Sequence, residues 1–205
     1  MNHIFLASDS TCQTYDTSKT NQAGWGQFLG EYLADYEIHN HAIGGRSSKT
    51  FIEEGRLNAM KDKMKSGDYL LVQMGHNDST KEKPERFTEP YLDYKQYLKQ
   101  YIDIARNRQA IPILITPVAR MHYVLGEFLI DFNDYCNAMM EVAAEEKVQI
   151  IDLMKHSIQH YQKVGYKEVY TYYMAAYNGK DYTHFTIKGA NQIAKIVAER
   201  FLKII

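Results

Sequence analysis

Five short apolar runs recur along the chain, separated by longer stretches in which apolar residues repeat at helical spacing. The runs cover residues 4–7, 37–43, 69–74, 111–116 and 148–152. Most of them stay apolar on consecutive residues, which is typical of strands buried on both faces of a parallel sheet. Strands that alternate with helices in this way predict an α/β protein, a three-layer α/β/α sandwich with a five-stranded parallel sheet.

The stretches between the runs predict helices and loops. The expected helices cover 24–36, 50–65, 91–108, 130–147, 153–173 and 187–202, and the expected loops 79–90 and 175–185. In the last helix the apolar positions share one face, and Thr186 precedes it as the expected N-cap. The sequence has no internal repeat and no linker, so residues 1–205 are predicted to form a single domain.

The charged residues nearly balance, with 24 Lys and Arg against 25 Asp and Glu and a formal net charge of −1. So small a charge indicates neither nucleic acid nor an anionic membrane surface as a partner. No apolar run is long enough to span a membrane. The first residues enter a strand without the pattern of a signal peptide. The expected location is therefore cytoplasmic, although a leader already removed would leave the same sequence.

The cysteines and histidines give no pattern of a disulfide framework or a metal site. The two cysteines are too few for a disulfide-stabilised domain. His39 and His41 alternate along a predicted strand, and His156 and His160 are four residues apart on a predicted helix. Neither pair has an obvious third ligand, and a metal site needs several ligands at suitable spacing. The sequence therefore predicts neither a metal nor a cofactor.

Polar residues and glycines follow the predicted strands where each strand ends. Ser10 follows the first strand, Gly45 the second and Asn77 the third, and Asp181 with His184 precedes the last helix. The carboxyl ends of parallel strands meet at one edge of the sheet, where ligands bind in α/β proteins. Each motif alone is common, but the four together, in this order, predict one catalytic site.

These residue types suit acyl transfer by a serine, which needs a base, a group that orients the base, and donors for the oxyanion. Ser10 is the expected nucleophile, His184 the base and Asp181 the carboxylate that fixes the imidazole tautomer. The expected oxyanion donors are the backbone N–H groups of Ser10 and Gly45 and the side-chain amide of Asn77. Asp181→Asn is expected to be milder than Ser10→Ala or His184→Ala, because a backbone carbonyl can partly orient an imidazole.

The same motifs resemble those of the SGNH (GDSL-type) hydrolases, a superfamily named for Ser, Gly, Asn and His in four blocks. The matching blocks are Asp9-Ser10-Thr11, Gly44-Gly45-Arg46-Ser47, Gly75-His76-Asn77-Asp78, and Asp181 with His184. Within this superfamily, the sequence resembles more specifically the rhamnogalacturonan acetylesterases of carbohydrate esterase family 12. This resemblance is carried by the run Gln22-Ala23-Gly24-Trp25-Gly26 and by Arg46-Ser47.

The resemblance implies a flavodoxin-like SGNH hydrolase fold and hydrolysis through an acetyl-Ser10 intermediate, without metal or cofactor. The implied substrate is acetylated rhamnogalacturonan, the pectic backbone. Because the sequence predicts no signal peptide, imported oligosaccharides are expected rather than intact polymer. Ser8 departs from the family, which usually has glycine before the Asp-Ser pair. We expect this departure to affect the catalytic rate more than the type of reaction.

His76, Arg46 and Tyr182 are the candidate substrate contacts. For His76 a structural hydrogen bond is the preferred alternative, and for Arg46 a salt bridge that holds its loop. Two other functions stay open. One is an SGNH thioesterase or lysophospholipase, which needs a long apolar groove beside Ser10. The other is a non-catalytic sugar-binding relative, for which Ser8 is the only support.

Overall fold

Five parallel strands form the centre of the fold. The structure is a computed structural model that describes residues 2–205. The strands are β1 (Asn2–Ala7), β2 (Tyr36–Asn40), β3 (Tyr69–Gln73), β4 (Ile111–Ile115) and β5 (Gln149–Ile151). They pair in the order β2-β1-β3-β4-β5, and every pair is parallel. This is the flavodoxin-like strand order, so the predicted five-stranded parallel sheet is confirmed.

Helices cover both faces of this sheet. They are α1 (Leu29–Tyr32), α2 (Ser48–Glu53), α3 (Arg56–Lys61), α4 (Lys95–Asn107), α5 (Asn133–Glu146), α6 (Leu153–Val164), α7 (Tyr166–Tyr170), α8 (Ala175–Asn178) and α9 (Ile187–Phe201). A 3₁₀ turn at Trp25–Phe28 precedes α1, and a π turn at Pro90–Tyr94 precedes α4. Thr186 caps α9 as predicted, because its side chain accepts a hydrogen bond from the Gly189 N–H.

Alternate side chains of β1 belong to two separate apolar cores, one on each face of the sheet. Ile4 and Leu6 pack in the core that contains α1, α6 and α9. Phe5 and Ala7 pack in the core that contains α2, α3, α4 and most of the buried residues of α5. Burial on both faces explains why the strands are apolar on consecutive residues. The predicted three-layer α/β/α sandwich is confirmed.

Several predicted helices have different bounds in the structure. The predicted helix 50–65 is two helices, because the chain turns at Gly55 with φ of +74°, a left-handed conformation that ends a regular helix. The predicted helix 153–173 is interrupted in a similar way at Gly165. Tyr36 was assigned to the first helix by its spacing but begins β2. Its partly buried position suits either element, so spacing alone misplaced it.

A short antiparallel strand pair joins the two ends of the chain beside the candidate site. Gln22–Ala23 pairs with Phe185–Thr186. The two short strands directly precede the predicted helices 24–36 and 187–202. Phe185 directly follows His184 and is fully buried. The pair therefore holds the segment that carries His184 against the segment that follows Ser10.

Two further observations concern the chain as a whole. Cys12 and Cys136 are both buried and free. Within residues 2–205, no helix has the length and apolar character that crossing a bilayer requires. The organisation of residues 1–205 as a single domain stays a prediction.

Candidate active site

A tight turn after β1 places Ser10 at the carboxyl edge of the sheet. The fully buried Asp9 carboxylate accepts hydrogen bonds from the Thr11 N–H (2.9 Å) and the Thr11 hydroxyl (2.8 Å). The N–H groups of Cys12 and Gln13 both donate to the Asp9 carbonyl oxygen. The turn leaves the Ser10 side chain partly exposed. The Ser10 backbone N–H has no hydrogen-bond acceptor in the part of the chain that the structure describes.

The structure brings Ser10, His184 and Asp181 into one chain of hydrogen bonds. His184 Nε2 lies 3.0 Å from Ser10 Oγ, and His184 Nδ1 lies 2.9 Å from Asp181 Oδ2. The other carboxylate oxygen, Asp181 Oδ1, accepts the backbone N–H groups of Thr183 (3.1 Å) and His184 (3.0 Å). Ser10 and His184 are 174 positions apart in the sequence, so only the fold can place them in contact.

The environment of Asp181 keeps its carboxyl group ionised. Partial burial raises the pKa of this carboxyl, but hydrogen bonds from the N–H groups of His184 and Thr183 and from the His184 ring hold it below its usual value. An ionised Asp181 accepts a proton-bearing Nδ1 and leaves the lone pair of His184 Nε2 facing the Ser10 hydroxyl. This is the tautomer that a general base needs.

The loop after β2 presents Gly45 to the cleft. Gly45 has φ of +80°, a conformation that side chains disfavour, and it is exposed. Arg46 Nη1 donates to the Gly44 carbonyl oxygen (2.8 Å), and Asn77 Nδ2 donates to the Arg46 carbonyl oxygen (2.9 Å). The Gly45 N–H has no acceptor among residues 2–205. The second Nδ2 hydrogen of Asn77 likewise remains available beside Ser10, which suits a group of oxyanion donors.

His76 directs both ring nitrogens into the protein. Nδ1 lies 3.2 Å from Asp9 Oδ2, Nε2 lies 3.0 Å from the Val118 carbonyl oxygen, and the residue is 6% exposed. Both ring nitrogens are therefore engaged by protein oxygens, although part of the residue lines the cleft. The expected substrate contact through His76 therefore has no ring nitrogen left to make it. The alternative, a structural hydrogen bond, agrees with this geometry.

We expect Asp9→Asn to lower the free energy of unfolding by about 2 kcal/mol at pH 7, because it replaces a buried carboxylate that accepts hydrogen bonds from Thr11 and faces the His76 ring. Burial raises the pKa of the Asp9 carboxyl, but the charge and hydrogen bond of His76 and the donors of Thr11 bring it below 3.8. A carboxyl with a lowered folded pKa stabilises the protein above the unfolded pKa and loses this effect as the pH falls through the folded pKa.

The measurement is urea unfolding of the wild type and Asp9→Asn between pH 3 and pH 7. The difference between the two proteins should be constant above about pH 5 and shrink below about pH 4. A difference that grows on acidification would contradict the stabilising role assigned to the ionised Asp9 carboxylate.

Arg46 and Tyr182, the other candidate substrate contacts, have different surroundings. Arg46 Nε donates to both carboxylate oxygens of Glu54, at 3.1 and 3.0 Å, and Arg46 is not among the residues that line the cleft. The structure thus favours its alternative role of holding the glycine loop. Tyr182 is 40% exposed and lines the cleft, and its hydroxyl donates to the Gly179 carbonyl oxygen at 3.3 Å. Tyr182 remains in position to contact a substrate.

Ser8, the departure from the family pattern, belongs to a buried hydrogen-bond network behind the nucleophile turn. Gln73 Nε2 donates to the Ser8 hydroxyl (3.2 Å) and to the Thr11 hydroxyl (2.9 Å). Gln73 Oε1 accepts the indole N–H of Trp25 at 2.9 Å. The Ser8 hydroxyl thus has a partner, and the distances around Ser10 are those of ordinary hydrogen bonds. The network therefore supports the turn that carries Ser10.

One member of the predicted histidine pairs, His39, belongs to a cluster of possible ligands that the sequence did not indicate. His3 and Glu37 lie beside His39 at the sheet edge, with His3 Nδ1 2.8 Å from His39 Nε2 and Glu37 oxygens 3.4 and 3.5 Å from these nitrogens. His41, the other member of the predicted pair, does not belong to this cluster, so the pair His39 and His41 gains no third ligand among the described residues. The ring nitrogens of His3 and His39 are within hydrogen-bond distance of each other. The cluster lies near the amino end of β1, whereas Ser10 follows its carboxyl end.

The candidate catalytic residues open onto a cleft of about 600 Å³. Sequence reasoning missed three cations that line it, Arg86, Arg120 and Lys180, together with Tyr15. The Tyr15 hydroxyl donates to the Ser10 carbonyl oxygen at 3.0 Å. Arg120 follows the carboxyl end of β4, and that position was a usable signal. Arg86 and Tyr15 lie in irregular loops whose sequences give no such signal.

Sequence comparison places the chain among esterases. The profile of the family described as GDSL-like lipase/acylhydrolase matches residues 4–197. The chain is 61% identical over 199 residues to the probable rhamnogalacturonan acetylesterase YesY of Bacillus subtilis strain 168, covering 97% of this chain and 91% of that protein. It is 37% identical over 207 residues to the rhamnogalacturonan acetylesterase RhgT of the same strain, covering 96% and 88%.

Solved structures share the fold. Protein YXIM of Bacillus subtilis matches with a TM-score of 0.86 and 27% identity, over 99% of this chain and 57% of that one. The acetylxylan esterase Axe2 of Geobacillus stearothermophilus matches with a TM-score of 0.71 over 98% and 93%, but at 13% identity it supports the fold alone. The profile match and the identity to YesY both extend over nearly the whole length. The chain therefore belongs to the GDSL-like lipase/acylhydrolase family, as the resemblance to SGNH hydrolases predicted.

Proposed function

We propose that the protein is a serine esterase that removes acetyl groups from acetylated rhamnogalacturonan oligosaccharides through an acetyl-Ser10 intermediate. The observation that carries the proposal is the chain of hydrogen bonds from Ser10 through His184 to Asp181 at the wall of an open cleft. A serine hydroxyl becomes an effective nucleophile only beside such an oriented base. Asp181 is engaged by His184 and by backbone N–H groups, so it orients the base and need not change protonation.

In the first half of the reaction, His184 Nε2 takes the hydroxyl proton while Ser10 Oγ attacks the carbonyl carbon of the acetyl group. The carbonyl electron pair moves to the oxygen, where the N–H groups of Ser10 and Gly45 and the amide of Asn77 stabilise the charge. Collapse of this intermediate breaks the bond to the sugar oxygen. His184 gives its proton to that oxygen, and the deacetylated sugar leaves with acetyl-Ser10 in place.

In the second half, a water molecule attacks the acetyl carbonyl carbon while His184 Nε2 takes one of its protons. The same donors stabilise the second oxyanion. Its collapse breaks the bond to Ser10 Oγ, which recovers the proton from His184, and acetate is released. All proton transfers pass through one nitrogen, so the arrangement needs neither metal nor cofactor in this scheme.

The choice of substrate is supported by the two relatives that are rhamnogalacturonan acetylesterases by name, at 61% and 37% identity. The character of the cleft supports it as well. Its lining contains Arg86, Arg120, Lys180, Asn77 and Thr80, which suit a hydroxyl-rich and charged ligand. A thioesterase or lysophospholipase needs an apolar groove for the acyl chain, and this lining is mainly polar.

Acetate release from acetylated rhamnogalacturonan oligosaccharides and from acetylated xylan tests the proposal, with octanoyl p-nitrophenyl ester as a third substrate. We expect acetate from the pectic substrate at a higher kcat/KM than from xylan. Equal kcat/KM values on both substrates would mean that the enzyme accepts acetylated carbohydrates in general. Preference for the octanoyl ester would favour an SGNH thioesterase or lysophospholipase. Binding of the oligosaccharide without hydrolysis, and without labelling of Ser10 by a fluorophosphonate, would favour a non-catalytic sugar-binding protein.

We further propose that residues 1–205 act as one domain on imported oligosaccharides in the cytoplasm. Fractionation of cells that produce the protein tests the location, and activity confined to long polymer would contradict the oligosaccharide preference.

A further inference from the structure

The cleft beside Ser10 carries more positive charge than ester hydrolysis requires. Arg86, Arg120 and Lys180 line it, and within residues 2–205 none of the three forms a salt bridge. The carboxylate that lines the same cleft, Asp181, is already engaged by His184. The acetyl ester itself is neutral. Hydrolysis of a neutral ester therefore does not explain why these three cations line the cleft.

Arg86 lies on the side of the cleft that holds the oxyanion donors. A Cβ atom placed on Gly45 would lie 3.8 Å from Nη1 of Arg86. Nη2 donates to the Thr80 hydroxyl at 3.2 Å, whereas the buried Nε has no partner among the described residues. The guanidinium is thus positioned by Thr80 and retains donors for a ligand that enters beside Gly45.

Arg120 lies on the side of the cleft that holds the catalytic loop. The N–H of its neighbour Met121 donates to the Tyr182 carbonyl oxygen at 3.0 Å, which fixes the backbone here. The guanidinium carbon of Arg120 lies 4.7 Å from the centre of the Phe132 ring. Its buried Nε also has no partner within residues 2–205. The aromatic ring supports the guanidinium from one side, and its donors remain for a ligand.

A buried donor without a partner is costly in free energy, and the cost is larger for a charged group. A ligand that supplies the missing acceptors removes this cost when it binds. The planar guanidinium matches a carboxylate in geometry, with two parallel hydrogen bonds. Rhamnogalacturonan, as its name states, contains galacturonate, a sugar with one carboxylate. The geometry at Arg86 and Arg120 therefore fits the charged groups of this substrate class.

We propose that Arg86 and Arg120 bind the carboxylates of uronate residues on either side of the acetylated position, and that Lys180 adds to the positive potential. This inference rests on the proposed function and names the feature that would distinguish the preferred substrate from acetylated neutral polysaccharides. Specificity then comes from two guanidinium groups that line the cleft, while Ser10 and His184 act on any acetyl ester that reaches them.

The test is binding, measured by calorimetry in a Ser10→Ala background so that hydrolysis does not interfere. The ligands are an acetylated rhamnogalacturonan oligosaccharide with free carboxylates and the same oligosaccharide with its carboxylates methyl-esterified. We expect the free acid to bind more tightly than the ester. Arg86→Gln and Arg120→Gln should each weaken binding of the acid about tenfold or more, as the loss of a charge-assisted hydrogen bond predicts, and leave the ester nearly unaffected.

Arg200→Gln is the matched control. Arg200 also has a buried Nε without a partner in the described chain, but it belongs to α9 and does not line the cleft. The Arg200→Gln variant should still bind the free acid more tightly than the methyl ester. Arg86→Lys should be intermediate, because it keeps the charge and loses the paired donors. Circular dichroism and thermal unfolding confirm that each variant is folded.

Equal affinity of the Ser10→Ala protein for acid and ester would overturn the inference, as would an unchanged preference in both Arg86→Gln and Arg120→Gln. The esterase proposal is judged separately, by acetate release from the wild type. Hydrolysis of the pectic substrate without a preference for the acid would leave the esterase standing and reject the carboxylate contacts. Selective binding of the acid without hydrolysis would support the carboxylate contacts and reject the esterase proposal.

Discussion

Ser10→Ala should lower kcat for acetate release by about 10⁴-fold or more, which is the scale on which loss of the nucleophile acts in serine hydrolases. The free energy of unfolding should change little. Ser10 is partly exposed, and the side-chain partner of its hydroxyl is His184. Removing the hydroxyl therefore breaks no buried contact, and the loss of activity can be assigned to chemistry and not to unfolding.

Two measurements check this result: acetate release under saturating substrate, and labelling by a fluorophosphonate. Ser18→Ala is the matched control, because Ser18 is exposed, its hydroxyl donates to Asp16, and it does not line the cleft. The control should keep wild-type kcat and full labelling. If Ser10→Ala retained more than a tenth of the wild-type kcat, or if the label attached elsewhere, Ser10 would not be the nucleophile.

Asp181→Asn should lower kcat by about 10³- to 10⁴-fold, a smaller loss than that of Ser10→Ala but a severe one. The amide oxygen of asparagine can still accept the backbone N–H groups of Thr183 and His184. Its amide nitrogen then faces His184 Nδ1 and favours the tautomer with the proton on Nε2, which cannot take the proton of Ser10. The sequence suggested a backbone carbonyl as a substitute, but none bonds to Nδ1 within residues 2–205.

The same acetate assay tests this prediction, with Asp62→Asn as the control, since Asp62 is exposed and caps the end of α3 away from the cleft. A loss smaller than about tenfold in Asp181→Asn would mean that another group fixes the tautomer of His184. A loss larger than that of Ser10→Ala would show that the roles of the two residues are wrongly assigned.

The strands could be predicted because burial on both faces of the sheet dictates their composition directly. All five residues of Tyr69–Gln73 are buried, and four of them are apolar or aromatic. The helix bounds could not be predicted as well. A glycine within a helical pattern costs only about 1 kcal/mol, so the pattern cannot distinguish a tolerated glycine from one such as Gly55, where the backbone changes to positive φ. That choice depends on packing between distant segments.

In the candidate site, too, one part could be predicted from the sequence and another could not. Ser10, Gly45 and Asn77 follow strand ends, and parallel topology alone predicts that such residues share one edge of the sheet. Their hydrogen bonds could not be read from spacing. His76, adjacent to Asn77 in sequence, lines the cleft but directs its ring nitrogens to Asp9 and to the Val118 carbonyl oxygen. Arg86 reaches the cleft from an irregular loop, where neither period nor motif marks a residue as part of a site.

The short pairing of Gln22–Ala23 with Phe185–Thr186 has a consequence for synthesis of the protein. The nucleophile is translated 174 residues before the base, and the strand that anchors the base directly follows it. Contacts between such distant segments form late, because the whole intervening chain must be ordered first. While the intervening residues are being synthesised, a nascent chain therefore carries Ser10 without the base that activates it. Esterase activity therefore requires that the segment carrying His184 has been synthesised and has paired with Gln22–Ala23.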